Sequence, residues 1–500
     1  MQLEQARIIF MQLQRKISAF SHATAILSWD DETVAPPGVR ENTSHSVEIL
    51  NQELFALTAG EETEELLLYL NENRDELTVR ERRTVDFMLR DFKRKSKIPA
   101  DEYARHESIL AEAMDAWYQA REENDFNVLR DKLGEVFDSL RAFAKYCSPD
   151  IDPYEYCLDE HDEGLTIEIC DEVFGAVKNN ILPLYERIKE KPQVDDRPIK
   201  GSFTKEAQEG LAYYILDLLG VDMSRVGVAT SDQPFTMFLG SHFDERIATR
   251  FSPDDYSLSL FTIMNQAGHV LYDMGQDDNL AYTVLDGMVS KSLQEAEGRF
   301  YENVIGRSRE FINFIYPDLC DIFPDPAEKY TAEDIYKAVN KVEGGLIRKD
   351  ADEVTFNLHV LIRYELEKAM MHGDLSVRDL PDAWRQKYKE YLGVDVKDDV
   401  NGVLQDIHWQ LGGIGYFPTY VLGNFCSAHI AKKMNEEVHI LECVSEGDFD
   451  LINTWNKLRI WKYGGLYDSK LVMHRFVKAP FSIAPYIEYL TEKYTDIYNL

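Results

Sequence analysis

Apolar residues recur at intervals of three and four positions through most of the chain, which is the period of an amphipathic helix. The helix-forming residues Leu, Glu, Arg and Ala are frequent in the same stretches. The pattern therefore predicts long helices over residues 1–150, 165–220, 286–315, 332–372 and 425–445.

Three segments break the helical pattern. Residues 225–250 are rich in Val, Thr, Phe and Ile with short alternations, which predicts two or three short strands and a small sheet beside the helix that follows. Pro36, Pro37 and Gly38 predict a helix end and a turn. The Gly- and aromatic-rich stretch 411–424 predicts a second turn region.

Two of the polar residues in the helix after the strands share one of its faces. Ser252 is predicted as its N-terminal cap, with Pro253 at the first helical position, and Gly275 as its C-terminal end. Asn265 and His269 are four residues apart, so they project from the same face of this helix. The sequence thus predicts a long helix that presents an amide and an imidazole one turn apart.

The length of 500 residues suggests about three domains of ordinary size. However, the sequence contains neither a low-complexity linker nor an internal repeat that would divide it. We therefore expect one large, mainly α-helical unit over residues 1–500.

The composition argues against several classes of partner. The chain has 54 Lys and Arg residues against 89 Asp and Glu, a formal charge of −35, and so acidic a surface repels phosphate backbones and anionic lipid headgroups. Its six cysteines form no CxxC pair, which favours a reducing compartment. No apolar run of about 18 residues occurs, and the N-terminus lacks the apolar core of a signal peptide. We expect a cytoplasmic protein without nucleic acid or membrane partners.

A metal site is one interpretation of the central helix. With His at 265 and Glu at 266, the stretch would contain HExxH, in which two imidazoles bind zinc and the carboxylate acts as a base. Glu295 lies 26 positions after His269, a separation at which such enzymes supply a third ligand from another helix. On these residues alone, a polar pair satisfied in the core is favoured over a metal site.

Four further motifs resemble those of the carboxypeptidase Taq family, the thermostable zinc metallocarboxypeptidases. They lie between residues 25 and 425 in the family's order. The motifs are Trp29-Asp30 and Glu32-Thr33 with Pro36-Pro37-Gly38, the IRxxAD residues Ile347, Arg348, Ala351 and Asp352, the GxxQDxHW stretch Gly402–Trp409, and the GYFPTY stretch Gly415–Tyr420.

This resemblance implies a nearly all-helical fold with a small sheet beside the active-site helix, a deep groove, and a homodimer. Residues 1–150 would form a helical part that covers the groove, and residues 151–500 a core with the former zinc site. The activity of the family is the release of C-terminal amino acids from peptides.

The resemblance breaks down where the family has its chemistry. The resemblance assigns the metal positions to Asn265, His269 and Glu295, and the general-base position to Gln266. The departures are Asn265-Gln266-Ala267-Gly268-His269 for HExxH, Gln294-Glu295-Ala296 for HES, Gln233-Pro234-Phe235 for HPF, and Asp244-Glu245-Arg246-Ile247-Ala248 for DxRxT.

These substitutions change the expected chemistry. Catalytic zinc needs about three good protein ligands, and the amide oxygen of Asn265 is a weak donor that suits harder cations. Gln266 cannot accept a proton from a bound water, a function usually worth about 10²–10⁴ in rate. We therefore predict a pseudoenzyme with a vestigial site that holds no zinc or binds metal weakly. A different metal, held by His269, Glu295 and Asp273, is the alternative.

Four retained residues are candidates for substrate binding, namely Arg348, His408, Tyr416 and Tyr420. The guanidinium of Arg348 suits the C-terminal carboxylate of a peptide, but it could equally form a structural ion pair with Asp352, four residues on. His408 either contacts substrate or is a buried, hydrogen-bonded histidine. The two tyrosines either polarise a peptide carbonyl or belong to the core.

Besides a pseudoenzyme without an assigned role, the sequence leaves three functions open. The first is a weakly active or differently metallated carboxypeptidase. The second is a non-catalytic protein that binds peptide C-termini through Arg348. The third is a structural partner in a dimer, including a dimer with an active paralogue.

Overall fold

The segment rich in β-branched and aromatic residues forms a sheet of three short strands. The computed structural model describes residues 2–231, 233–287, 290–324 and 329–500, and its strands are β1 (Val226–Thr230), β2 (Phe235–Phe238) and β3 (Glu245–Thr249). The strand order is β1-β3-β2, with β1 parallel and β2 antiparallel to β3. In this register Val226 is opposite Glu245 and Phe235 is opposite Ala248. The predicted small sheet is therefore confirmed.

Most of the remaining described chain is helical, in agreement with the predicted fold class. The α-helices are α1 (Leu3–Thr33), α2 (Arg40–Ala59), α3 (Glu61–Glu72), α4 (Val79–Ser96), α5 (Ala100–Glu123), α6 (Asn127–Cys147), α7 (Pro153–His161), α8 (Ile167–Ala176), α9 (Leu182–Lys189), α10 (Lys205–Leu218), α11 (Tyr256–Met274), α12 (Lys291–Arg299), α13 (Arg309–Ile322), α14 (Ala332–Val339), α15 (Thr355–His372), α16 (Leu380–Tyr391), α17 (Phe417–Met434), α18 (Ile440–Glu446), α19 (Phe449–Arg459), α20 (Ser469–Leu471) and α21 (Ala484–Tyr498).

Shorter helical turns connect or extend these helices. The π-helical stretches are Val177–Ile181, Phe300–Gly306 and Val472–Val477. The 3₁₀ turns are Pro37–Val39, Arg74–Glu76, Arg197–Ile199, Asp278–Leu280, Arg348–Asp350, Val377–Asp379, Trp409–Leu411 and Trp461–Leu466.

The central helix α11 begins later than its sequence predicts. Its N-terminal cap is Asp255, whose side chain accepts a hydrogen bond from the Ser257 amide at 2.9 Å. The predicted cap at Ser252 is wrong because the carbonyls of Pro253 and Asp254 accept hydrogen bonds from a neighbouring segment, which keeps this stretch out of the helix. The predicted end at Gly275 is confirmed.

The predicted helix end before Pro36 is confirmed, since α1 ends at Thr33. Two other boundaries differ from the predicted pattern. The stretch between α14 and α15 is non-helical apart from the turn Arg348–Asp350, although a continuous helix is predicted there. Helix α17 begins at Phe417, so Tyr420 lies on a helix and not in a turn.

Buried apolar side chains form a large and a small cluster among the described residues. The small cluster joins α1, α3 and α4, from Ala6 to Leu89, and the large cluster contains α11, α12, α15 and α17. The division at residue 150 and the covering role of residues 1–150 stay predictions. In the described part of the chain, every helix is too short or too polar to cross a bilayer.

Candidate functional site

Helices α11 and α12 cross closely at two glycines, and this crossing positions the site. A Cβ atom on Gly268 would lie 2.5 Å from the carbonyl oxygen of Glu297. A Cβ on Gly298 would lie 2.8 Å from Nε2 of His269 and from Nδ2 of Asn265. Both distances are far below a normal carbon contact, so a larger residue at either position would force the helices apart.

Asn265 and His269 are hydrogen-bonded to each other and to a neighbouring acid. Nδ2 of Asn265 donates to Oε2 of Glu302 at 3.1 Å, and this carboxylate partner fixes the orientation of the amide. Oδ1 of Asn265 then lies 3.1 Å from Nε2 of His269, a hydrogen bond in the tautomer that carries its proton on Nε2.

The π-helical stretch after α12 brings Glu302 to this network. Nη1 of Arg299 lies 3.0 Å from Oε2 of Glu302, and Nη2 of Arg307 lies 3.5 Å from Oε1. Arg299 also lies 3.7 Å from Oε2 of Glu295 and stacks over the ring of Phe356 at 4.1 Å. Two arginines therefore balance the two carboxylates beside Asn265.

His269 and Glu295 are both buried, and burial shifts both toward their neutral forms. Desolvation, followed by the charge of Arg299, lowers the pKa of His269 to about 3. Desolvation raises the pKa of Glu295 against the opposing charge of Arg299. Nδ1 of His269 and Oε2 of Glu295 have no hydrogen-bond partner among the described residues.

Gln266 is turned toward the sheet. Its Nε2 donates to the carbonyl oxygen of Phe235 on β2 at 3.0 Å and to that of Ala248 on β3 at 2.7 Å. The residue is 3% exposed, and its Oε1 has no partner among the described residues. Gln266 thus ties α11 to the two strands as a hydrogen-bond donor.

Arg348 forms a buried ion pair, but its partner is Asp406. Nε and Nη2 of Arg348 lie 3.0 and 2.9 Å from Oδ1 of Asp406, while Nε of Arg363 lies 2.7 Å from Oδ2. The predicted pairing with Asp352 is wrong because that carboxylate accepts hydrogen bonds from the backbone amides of Val354 and Thr355 at the start of α15. Burial raises the pKa of Asp406, but the charges of Arg363 and Arg348 outweigh it and hold that pKa below its usual value.

The other three substrate candidates surround Arg348. Tyr420 lies 4.9 Å from the guanidinium, measured to the ring centre, and its hydroxyl is 3.1 Å from Nε2 of His408. The ring of Tyr416 packs against both His408 and Tyr420, at 5.4 and 5.3 Å. Desolvation, followed by the charge of Arg348, lowers the pKa of His408 to about 3, so its ring is neutral. The structure therefore brings all four candidates together.

Glu367 holds the loop that carries His408 and Tyr416. This fully buried carboxylate accepts hydrogen bonds from Nε1 of Trp409 at 2.6 Å, from the hydroxyl of Tyr154 at 2.8 Å and from the amide of Gly415 at 3.2 Å. Trp409 and Gly415 flank the turn between the two candidates, so Glu367 fixes its shape.

A second pair of polar contacts lies beside Arg348. The ammonium of Lys349 donates to Oε1 of Gln233, the residue at the first position of the family's HPF motif. Arg250, which follows β3, lies 3.5 Å from Asp350 through one nitrogen. These contacts connect the edge of the sheet to the turn Arg348–Asp350.

The side chains at the metal positions do not fit a zinc ion. Within the described residues, no three His, Cys, Asp or Glu side chains form a group that could hold a metal. Asp273 is not grouped with His269 and Glu295, since its carboxylate accepts from Nε2 of Gln276 at 3.1 Å and is affected by the charge of Asp286. The alternative site through Asp273 therefore has no support, and the assignment of Asn265, His269 and Glu295 as metal positions rests on the resemblance alone.

Sequence reasoning missed five residues of the site. Asp406 lies inside the quoted GxxQDxHW motif and Lys349 at a variable position of IRxxAD, so both could have been found by asking what these motif positions contact. Arg299 and Glu302 follow Glu295 by one and two helical turns, and this spacing predicts that they share its face of the helix. For Arg363 the sequence carries no such signal.

Comparison with known proteins gives full-length matches. A family model described as Carboxypeptidase Taq (M32) metallopeptidase matches residues 9–494. Carboxypeptidase 1 of Bacillus subtilis is 31% identical over 493 residues, covering 98% of each chain. Thermostable carboxypeptidase 1 of Thermus thermophilus is 31% identical over 511 residues, again covering 98% of each chain. The crystal structure of an M32 carboxypeptidase from Deinococcus radiodurans has a TM-score of 0.95 at 31% identity and covers 99% of this chain and 100% of that one.

Proposed function

The chain belongs to the carboxypeptidase Taq (M32) metallopeptidase family, and on this premise we propose that it binds the C-terminal end of peptides without hydrolysing them. The family is one of metallopeptidases, and its members named above are carboxypeptidases. In this proposal the chain keeps the family's binding groove and has lost its hydrolytic centre.

The loss of catalysis is supported by how Asn265 and Gln266 are used. The family's HExxH motif needs an imidazole and a carboxylate at these positions, and here both side chains make other contacts. Asn265 is hydrogen-bonded to Glu302 and His269, and Gln266 donates to two backbone carbonyls. Neither amide side chain can act as a general base, and amide oxygens are weak ligands for zinc.

Retained binding is supported by one observation, the sharing of Asp406 by two arginines. Arg348 and Arg363 both contact this single carboxylate, so two guanidinium groups share one ion-pair partner beside His408 and Tyr420. None of the described hydrogen bonds uses Nη1 of Arg348. A guanidinium with a donor to spare suits a carboxylate, and the C-terminus of a peptide carries one.

The test is calorimetric titration with short peptides supplied as free acids and as C-terminal amides. We expect the amides to bind about ten- to a hundredfold more weakly, since a charge-assisted hydrogen bond is worth about 1.5–3 kcal/mol. Arg348→Ala should abolish this difference. Arg385→Ala is the matched control, because Arg385 is a partly exposed arginine that pairs with Asp382 and Asp399, away from the site.

Equal binding of acids and amides by the wild type would reject the proposal. Since Arg348 contacts a buried acid, the thermal midpoint of Arg348→Ala must be measured, and Arg348→Lys offers a milder variant that keeps the charge. Release of free amino acids from the same peptides would instead favour the weakly active carboxypeptidase.

We also propose that the protein is a cytoplasmic homodimer. The support is the family resemblance, the acidic composition and the six cysteines, all free in the described structure. Sedimentation equilibrium of the purified chain tests the oligomeric state, and a monomer at micromolar concentration would contradict it.

A further inference from the structure

At the turn Arg348–Asp350, cations outnumber the carboxylates that they contact directly. The cations in contact around it are Arg250, Arg348, Lys349 and Arg363, and the described carboxylates that they contact are Asp350 and Asp406. Nearby, Arg299 and Arg307 are balanced by Glu295 and Glu302, and Asp352 is occupied by backbone amides. The turn is therefore rich in cations in a chain whose formal charge is −35.

Lys349 adds a second cation directly after Arg348 in the sequence. Arg348 is 5% exposed, whereas Lys349, the next residue, is exposed, so the two charges follow one another from the interior toward the surface. The hydrogen-bond partner of Lys349 is the neutral amide of Gln233. Desolvation of its ammonium, followed by the charge of Arg348, lowers the pKa of Lys349 to about 8, and it remains mostly protonated at pH 7.

We propose that Lys349 makes this site selective for peptides whose C-terminal residue is aspartate or glutamate. The inference rests on the proposed function and adds to it the substrate class. A peptide with such an end carries two carboxylates a few bonds apart, and the turn offers two cationic side chains on consecutive residues. The α-carboxylate is bound by Arg348, and the side-chain carboxylate replaces Gln233 as the partner of Lys349.

The exchange at Lys349 is favourable for a physical reason. A neutral amide is a weaker partner for an ammonium than a carboxylate is, because the carboxylate adds the attraction of opposite charges to the hydrogen bond. Gln233 thus satisfies Lys349 when no peptide is bound and competes with the ligand only weakly. A peptide that ends in a lysine places a third cation beside Arg348 and Lys349 and is disfavoured.

The experiment uses N-acetylated pentapeptides of one sequence that end in Glu, Gln or Lys, each as the free acid and as the C-terminal amide. Calorimetry or fluorescence anisotropy gives their affinities for the full-length protein. We expect the Glu-ended acid to bind about tenfold more tightly than the Gln-ended acid, and the Lys-ended acid to bind most weakly.

Three variants locate the effect at Lys349. Lys349→Gln should equalise the Glu- and Gln-ended acids, and Lys349→Glu should favour the Lys-ended acid. Lys457→Gln is the matched control, because it makes the same change in charge at an exposed lysine on α19, a helix without site residues, and should leave the preference unchanged.

Gln233→Ala separates selection from a structural tether. If the ammonium selects acidic ends, removing its resting partner keeps or increases the preference for the Glu-ended acid. If the contact only holds the turn in place, both Gln233→Ala and Lys349→Gln weaken all peptides alike, and the inference is overturned.

The two proposals fail in different ways. Equal affinity for the Glu- and Gln-ended acids, together with weaker binding of every amide, overturns the selectivity and leaves C-terminal capture intact. No difference between acids and amides overturns the capture of C-termini itself.

Discussion

Oδ1 of Asn265 lies 3.1 Å from Nε2 of His269, so the two residues that share a face of α11 are bound to each other. The same amide donates to Glu302, which is held by Arg299. This network gives the Asn265 side chain hydrogen-bond partners on both of its polar atoms. Its consequences for metal content and for reversion can be measured.

Protein purified without added metal should contain well under one zinc ion per chain. The reason is that Asn265 offers only an amide oxygen, a weak zinc ligand, at a position where the family has an imidazole. Elemental analysis by mass spectrometry measures the content. The thermal midpoint should not change with EDTA, because a metal that bound only the folded state would raise it. One tightly held zinc per chain would contradict this prediction.

Gln266→Glu alone should destabilise the protein by about 2–4 kcal/mol. Gln266 donates to the carbonyls of Phe235 and Ala248, whereas a carboxylate cannot donate and would face two acceptor oxygens in a buried position. Burial raises the pKa of such an acid in the folded protein. The contribution of this side chain to the free energy of unfolding is therefore fully present below about pH 4 and is lost as the pH rises.

Urea unfolding at pH 5 and pH 8 measures this loss. Gln12→Glu, at an exposed position on α1, is the control and should change little. If Gln266→Glu is as stable at pH 8 as this control, then the two backbone hydrogen bonds of Gln266 do not hold the sheet to α11.

Much of the fold follows from local sequence. The strands at 226–249 and the end of α11 at Gly275 are confirmed, since alternation, helical period and a C-terminal glycine act over a few residues. The family resemblance is confirmed as well, because its motifs extend over most of the chain.

The partners of the site residues depend on contacts between distant segments. Asp352 is the local candidate for Arg348, yet Asp406, 54 positions beyond it, is the actual partner, since α15 begins at Thr355 and its free amides occupy Asp352. Likewise, nothing in the sequence near Gln266 indicates that its amide reaches both β2 and β3. The helical period predicts on which face of a helix a side chain lies, but not which other element packs against that face.

The purified protein should release C-terminal amino acids at least about 10²-fold more slowly than an active relative under the same conditions. Gln266 offers no base, so added zinc or cobalt should not restore the rate. Mass spectrometry of the released amino acids measures it, with Carboxypeptidase 1 of Bacillus subtilis as the reference. Metal-dependent turnover that disappears in His269→Ala would show that the hydrolytic centre is functional.

Asp273→Asn should stabilise the protein at pH 8 and leave its stability nearly unchanged at pH 4. Asp273 is buried, and desolvation followed by the charge of Asp286 raises its pKa to about 7. Glu245 and His242 also face it, and desolvation raises the pKa of Glu245. Because the folded protein holds the proton more tightly than the unfolded chain does, the contribution of Asp273 to stability is fully present below about pH 4 and is lost as the pH rises to about 7.

The neutral amide avoids this loss and keeps the acceptor for Gln276, so the gain should reach about 2 kcal/mol above pH 7. Urea unfolding from pH 4 to pH 8 measures it, with Asp374→Asn, an exposed residue, as the control. Parallel pH profiles for the two variants would show that Asp273 ionises in the folded protein as easily as it does in the unfolded chain.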